Sequence, residues 1–267
     1  MDLLILRLVL SFIIGGTWVT TITLATVRYG ARLGGLLAGV PSAVAFSLIF
    51  IGWSQSVQSA VEATTALPLA FGSTACFSLV YAFLVKRGGF GAGMVGALAF
   101  WALVSFASVE FVLAFDLGFW VSVVGFYAMT FVAYVLLAER RQPVVQVQGA
   151  RPTLPQWVGR FVLSGGVIVA AVYLSQSFGP VIGGVFSSFP AIISSTLYVV
   201  SRVEGVEASR SMAVPVLVAT MFAIIPYIVT VRYSFLPLGI VLGTVLGYCV
   251  AVPLAYFAHR LVGRRRT

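Results

Sequence analysis

Apolar runs of about 20 residues, the length that crosses a hydrocarbon core of ~30 Å, follow one another along the chain. Short clusters of glycine, proline and charge separate them. The runs fall near residues 3–27, 33–52, 66–85, 90–110, 118–138, 158–176, 180–200, 212–231 and 235–258. That predicts nine spans. Unpaired backbone groups are prohibitive in lipid and the runs are too long for barrel strands, so each is expected to be a helix. The tightest junction lies between Glu110 and Asp116, which are separated only by Phe-Val-Leu-Ala-Phe. A single helix through it would carry about 49 apolar residues, more than twice the core thickness at 1.5 Å per residue. A tight, half-buried turn is therefore expected there.

The pattern is written twice. Gly34-Gly35-Leu36-Leu37-Ala38-Gly39-Val40-Pro41 recurs 149 residues later as Gly183-Gly184-Val185-Phe186-Ser187-Ser188-Phe189-Pro190. Arg7-Leu8-Val9-Leu10-Ser11 pairs with Arg160-Phe161-Val162-Leu163-Ser164 at an offset of 153, and Tyr81, Lys86 and Gly93 pair with Tyr227, Arg232 and Gly239 at 146. Spans one to four form one copy, spans six to nine the other, and span five lies between. The odd span inverts the second copy, so the fold class expected is an all-α integral membrane protein with a 4+1+4 inverted-topology repeat. The corresponding units are residues 1–114, a linking segment 115–157, and residues 158–267 with a basic tail. The stretch from Glu139 to Trp157, with Pro143, Pro152 and Pro155, reads as a polar linker.

Composition agrees with a lipid environment: 60% of residues are hydrophobic and 9% are charged, against about 25% charged in soluble domains. The net charge of +9 raises the question of a nucleic-acid partner, but the basic residues form no patch. With the N-terminus outside, fourteen of the sixteen fall on the cytoplasmic side, and only Arg7 and Arg232 on the other. This is the positive-inside bias. It predicts a multi-pass protein of the plasma (inner) membrane, N-terminus outside and C-terminus cytoplasmic, with the lipid bilayer as its partner and no nucleic acid. Span one contains Arg7 and a polar Thr17–Thr23 stretch, so it reads as a retained helix rather than a signal peptide. Cys76 and Cys249 fall inside spans and read as small buried apolar residues. The sequence sets no oligomeric state.

Candidate chemistry centres on the duplicated motif. Pro41 lacks the N–H that would bond the carbonyl of Leu37, and Pro190 likewise frees that of Phe186. Each proline lies about eight residues into its span, or ~12 Å at helical rise, near the middle of the core. Two broken helices meeting at the midplane are how many secondary transporters build a site. The candidate substrate-binding or hinge residues are Gly34, Gly35, Leu37, Pro41, Ser42, Gly183, Gly184, Phe186, Ser187, Ser188 and Pro190. A structural reading stands beside this one: the glycines and Ser188 would let helices approach closely, with proline supplying only a bend. Both remain open at this point.

Other chemistry is scarce. All seven carboxylates map to span ends or loops, so no midplane proton or sodium ligand is expected. Glu204 and Glu207 read as helix-end groups loosely paired with Arg202 and Arg210. There is no zinc motif, no catalytic triad that the one histidine could serve, and no Walker ending to Gly88-Gly89-Phe90-Gly91-Ala92-Gly93. No enzyme, metal or cofactor is expected.

At the Gly-x5-Pro core the chain resembles small bacterial inner-membrane proteins of the GlpM type, in which a comparable stretch ends in Phe-Pro. Phe189-Pro190 fits that pattern, and Val40-Pro41 departs from it by lacking the aromatic. The resemblance covers roughly 30 residues of each half and implies two fused half-size units. The function expected is a secondary transporter of a small neutral or weakly polar solute, with a passive channel or a non-transporting scaffold as alternatives.

Overall fold

A computed structural model describes residues 3–28, 41–138, 153–203, 205–211 and 213–264. Among the described residues there is no strand. Ten helices follow one another among the described residues: α1 (Leu3–Arg28), α2 (Ser42–Ser54), α3 (Val57–Ala63), α4 (Leu67–Ala114), α5 (Phe119–Ala138), α6 (Leu154–Phe178), α7 (Pro180–Phe186), α8 (Ala191–Val203), α9 (Val206–Ser211) and α10 (Ala213–Arg264). Six helical stretches among the described residues are long and apolar enough to cross a membrane. Large apolar side chains such as Leu103, Val124, Val241 and Leu242 cover the outside, whereas serines and threonines are frequent inside, as helices packed in lipid permit. The chain is a multi-pass helical membrane protein.

Two helices are far too long to lie straight. At 1.5 Å per residue, the 48 residues of α4 would extend about 72 Å. Instead α4 reverses at Gly89, where φ is 72° and ψ is −174°, a conformation essentially reserved for glycine. The reversal brings the hydroxyls of Ser73 and Ser105 into a hydrogen bond, although a straight helix would hold them ~48 Å apart. A Cβ on Gly93 would lie 2.9 Å from that of Val85, so the arms 67–88 and 90–114 touch along their length. In α10, Gly239 takes nearly the same conformation (φ 77°, ψ 169°), and Gly243 faces Phe235 as Gly93 faces Val85.

The first reversal falls within the connection expected at 86–89, at the single residue Gly89; the second falls at Gly239, beyond the expected 232–234. The equivalent of Gly239 is Gly89, an offset of 150 (239 − 89), not Gly93 at 146. The slip is four residues, about one helical turn. Pairs slipped by one turn keep the same face, so hydropathy does not separate the two registers. The turn expected after Glu110 is present: α4 ends at Ala114 and α5 starts at Phe119, with the N–H of Leu117 on the carbonyl of Val112 at 2.9 Å and Asp116 at φ 45°. Of the second expected span, residues 33–40 lie outside the described residues, and α2 continues to Ser54. Cys76 is half-buried, but Cys249 is exposed on α10, an apolar residue facing outward rather than a buried one.

The first helices of the two halves, α1 and α6, cross closely. A Cβ on Gly16 would lie 3.1 Å from the carbonyl oxygen of Phe161, and one on Gly165 would lie 2.8 Å from that of Phe12. A later residue of one helix thus meets an earlier residue of the other, so the two run antiparallel. Helix α2 packs on both α1 and α6. Each hairpin then reaches a short helix from the other half of the chain: α10 packs on α3, and α4 packs on α9. An arginine ties each junction. Arg232 Nη1 donates to the Val61 carbonyl at 3.1 Å and to Thr64 Oγ1 at 2.7 Å. Arg210 Nε donates to the Ala82 carbonyl at 3.0 Å.

Candidate functional site

Helices α7 and α8 form one apolar stretch that is broken at 187–190. The cause is local. Pro190 offers no N–H to the carbonyl of Phe186, so the helix cannot continue through it. The freed carbonyl expected at Phe186 does not persist: it accepts from the N–H of Phe189 at 3.0 Å. The hydroxyls of Ser187 and Ser188 are likewise turned back on their own helix, donating to the carbonyls of Gly184 at 2.6 Å and Val185 at 2.7 Å. They close the end of α7 instead of lining a free surface.

The acceptor of the break that is met from outside its own helix lies two residues beyond Phe186. The Ser188 carbonyl receives Thr74 Oγ1 at 2.9 Å, and Thr74 in turn accepts from Trp101 Nε1 at 3.1 Å. Trp101 and Thr74 sit on opposite arms of the α4 hairpin, so its folding is what assembles the relay. The Trp101 ring also meets Phe189 edge-on at 5.1 Å and Phe186 at 6.2 Å. Thr74, Ser188 and Trp101 are all buried. The polar groups of the break are thus satisfied within the protein, and the relay and the aromatic rings tie the broken helix to the α4 hairpin.

The glycines before the break are spent on packing. A Cβ on Gly184 would lie 1.9 Å from the carbonyl oxygen of Ala63, and one on Gly183 would lie 2.5 Å from that of Ala171. They seat α7 against α3 and α6. In the first copy, Gly34, Gly35 and Leu37 lie outside the described residues. Pro41 precedes α2 and its carbonyl accepts from the N–H of Ala45 at 3.0 Å; Ser42 is buried at the first position of that helix.

Beside the break is a cavity of about 410 Å³, within the range of small-molecule sites. It is bounded by the start of α6 at Pro155 and Gln156, by Phe90, Met94 and Leu98 of the second α4 arm, by Ser194, Ser195 and Tyr198 of α8, and by Phe189 of the break. Arg160 also lines it, only 9% exposed. Its Nη2 donates to Thr196 Oγ1 at 3.2 Å. The N-terminus of α6 is fixed by a capping box in which the Thr153 N–H donates to Gln156 Oε1 at 2.9 Å, so the wall carrying Arg160 has a defined start. The expected pairing of Glu207 with Arg210 is present at 3.2 Å.

Sequence reasoning did not find Thr74, Trp101, Arg160 or Ser194 as site residues. The first two lie on span three and span four, away from the repeated motif. Arg160 was counted only as a cytoplasmic charge, although an arginine within an apolar span, matched to Arg7 in the other copy, is itself a signal.

No family model matches the chain, and neither a curated protein nor a solved structure does.

Proposed function

We propose that the chain is a secondary carrier for a small solute that is apolar over most of its surface, loaded at the α7–α8 break. In this reading residues 1–114 and 158–267 are inverted repeats of four spans each, 115–157 links them, and the chain crosses the plasma (inner) membrane nine times with its N-terminus outside. It is a fused pair of half-size units, as the GlpM-type resemblance implies. The observation that carries the reading is the helix break at 187–190 beside a cavity that opens to the surface. Further support comes from the matched reversals at Gly89 and Gly239, from the antiparallel crossing of α1 and α6, and from the reciprocal arginine ties. A pseudo-two-fold that takes Val61 to Arg210 takes Arg232 to Ala82, so the two junctions are the same contact with donor and acceptor exchanged.

Alternating access would come from rocking of one repeat against the other about the break. Counterflow in proteoliposomes tests this against a metabolite panel. Saturable counterflow is expected; unsaturated flux would indicate a channel, and absence of flux a scaffold. Pro190→Ala restores a helical N–H at the break. It should reduce flux at least tenfold while leaving the unfolding midpoint unchanged or raised. Flux near wild type would leave the proline a packing role only.

A further inference from the structure

We propose that the cavity beside Arg160 binds a small organic monoanion, with its charged group on the guanidinium and its apolar body against Phe90, Leu98 and Leu163. The inference deepens the carrier reading by naming the solute's chemical class. It is tested by binding without flux, so that a protein that binds but does not transport is told apart from one that does not bind.

The first ground is an electrostatic deficit. Arg160 is buried, and among the described residues no carboxylate lies within ion-pair distance of it; the ion pair found there is Arg210–Glu207. Its hydrogen bond goes to the neutral hydroxyl of Thr196. A guanidinium carries five donors, and a cation removed from water without a counter-charge costs several kcal/mol. The other interior arginines are better met. Arg232 has one carbonyl and two hydroxyls and lies 4.7 Å over the Phe119 ring. Arg210 borders a cavity of its own, but Glu207 supplies its counter-charge. Arg7 donates to the Ser54 carbonyl and lies 5.7 Å over the Trp53 ring, while its Nε is buried without a partner.

The second ground is independent of the first. Ser194 Oγ is buried, has no hydrogen-bond partner, and belongs to the wall of the same cavity. An unpaired buried hydroxyl in the same cavity wall as an under-neutralised cation is what an anionic oxygen satisfies, because charge-assisted hydrogen bonds are the strong ones. The remaining lining sets the rest of the ligand. It is largely aliphatic and aromatic, with no second cation among the described residues, which fits one negative charge and disfavours a diphosphate or dicarboxylate. A carboxylate on a free solute and the headgroup of an anionic lipid share this chemistry.

Isothermal titration of the purified full-length protein in neutral detergent, with benzoate and its uncharged isostere benzamide, tests the assignment. Benzoate should bind saturably and benzamide at least tenfold more weakly. Arg160→Gln should weaken benzoate binding at least tenfold, Arg160→Lys should retain part of it, and Ser194→Ala should weaken it less than Arg160→Gln. Should Arg160→Gln fail to fold, as its unfolding midpoint would reveal, Ser195→Phe keeps the charge but fills the cavity and should abolish binding. Competition by phosphatidylglycerol in mixed micelles would assign the charge to a lipid headgroup; its absence would assign a free solute. Equal binding of benzoate and benzamide, undiminished binding by folded Arg160→Gln and Ser195→Phe proteins, or no benzoate binding by the wild type would overturn the proposal.

Discussion

Arg7 and Arg160 occupy matching places in two similar stretches of sequence, yet their surroundings are opposite. Arg160 stands beside a cavity of about 410 Å³. Around Arg7, Trp18, Phe46, Phe50 and Trp53 form a row of rings with successive centroids 5.5, 6.5 and 5.7 Å apart, and the guanidinium lies 5.7 Å over the last of them. At the offset of 149 that relates α8 to α2, Ser194 and Ser195 become Ala45 and Phe46, and Val199 becomes Phe50. The filling differs. In the carrier proposed above, this is the asymmetry expected of one state, open beside one repeat and closed beside the other. Part of the difference is written into the side chains, so the two states need not be equally stable.

The comparison can be broken at its framework. Gly184→Leu would drive a side chain into the Ala63 backbone, which has no rotamer by which to yield. The expected cost exceeds ~3 kcal/mol, or folded protein is lost. Gly166→Leu, whose Cβ meets nothing within 4 Å, should stay within ~0.5 kcal/mol of wild type. Unfolding in mixed micelles measures both; equal effects would contradict the packing described for α7.

The contrast in filling predicts the next effect. Phe50 is 4% exposed in the closed half, so Phe50→Ala should cost about 3 kcal/mol through the cavity it leaves. Phe90 already borders empty space, and Phe90→Ala should cost about 1 kcal/mol by the same reasoning. Equal costs would remove the distinction between a filled and an open half. The smallest difference is expected between the two reversal glycines. Gly89→Ala and Gly239→Ala each place a Cβ in a backbone region open essentially to glycine, at about 1–3 kcal/mol. Neither Cβ would touch a neighbour, so the two costs should match within ~0.5 kcal/mol if the halves share one backbone plan. A clear inequality would argue against it.

Much of the architecture was legible because lipid imposes simple rules: a span must be apolar for about 20 residues, and its backbone must be helical. The duplicated Gly-Gly-x5-Pro also marked the place where α7 breaks. Register was harder to read. Sliding the second hairpin by one turn leaves the same residues on the same face, so Tyr81–Tyr227 seemed as good a match as the structural pairing of Gly89 with Gly239. The site was legible only in part. Its proline was visible, but the fate of the Phe186 carbonyl and the Ser187 and Ser188 hydroxyls depends on the tight turn after Phe186, which closes them on their own helix. Thr74 and Trp101 reach the break only because the α4 hairpin folds back, a tertiary fact with no local signature.

The central claim is that the two halves face opposite sides of the membrane and are open one at a time. In a background with Cys76 and Cys249 replaced by alanine, single cysteines at Ser195 and Phe46 can be labelled by an impermeant maleimide in inside-out and right-side-out vesicles. The account predicts fast labelling of Ser195→Cys from the cytoplasmic side alone and slow labelling of Phe46→Cys from the outer side alone. Labelling of both cysteines from the same side would contradict the inverted arrangement and, with it, the carrier.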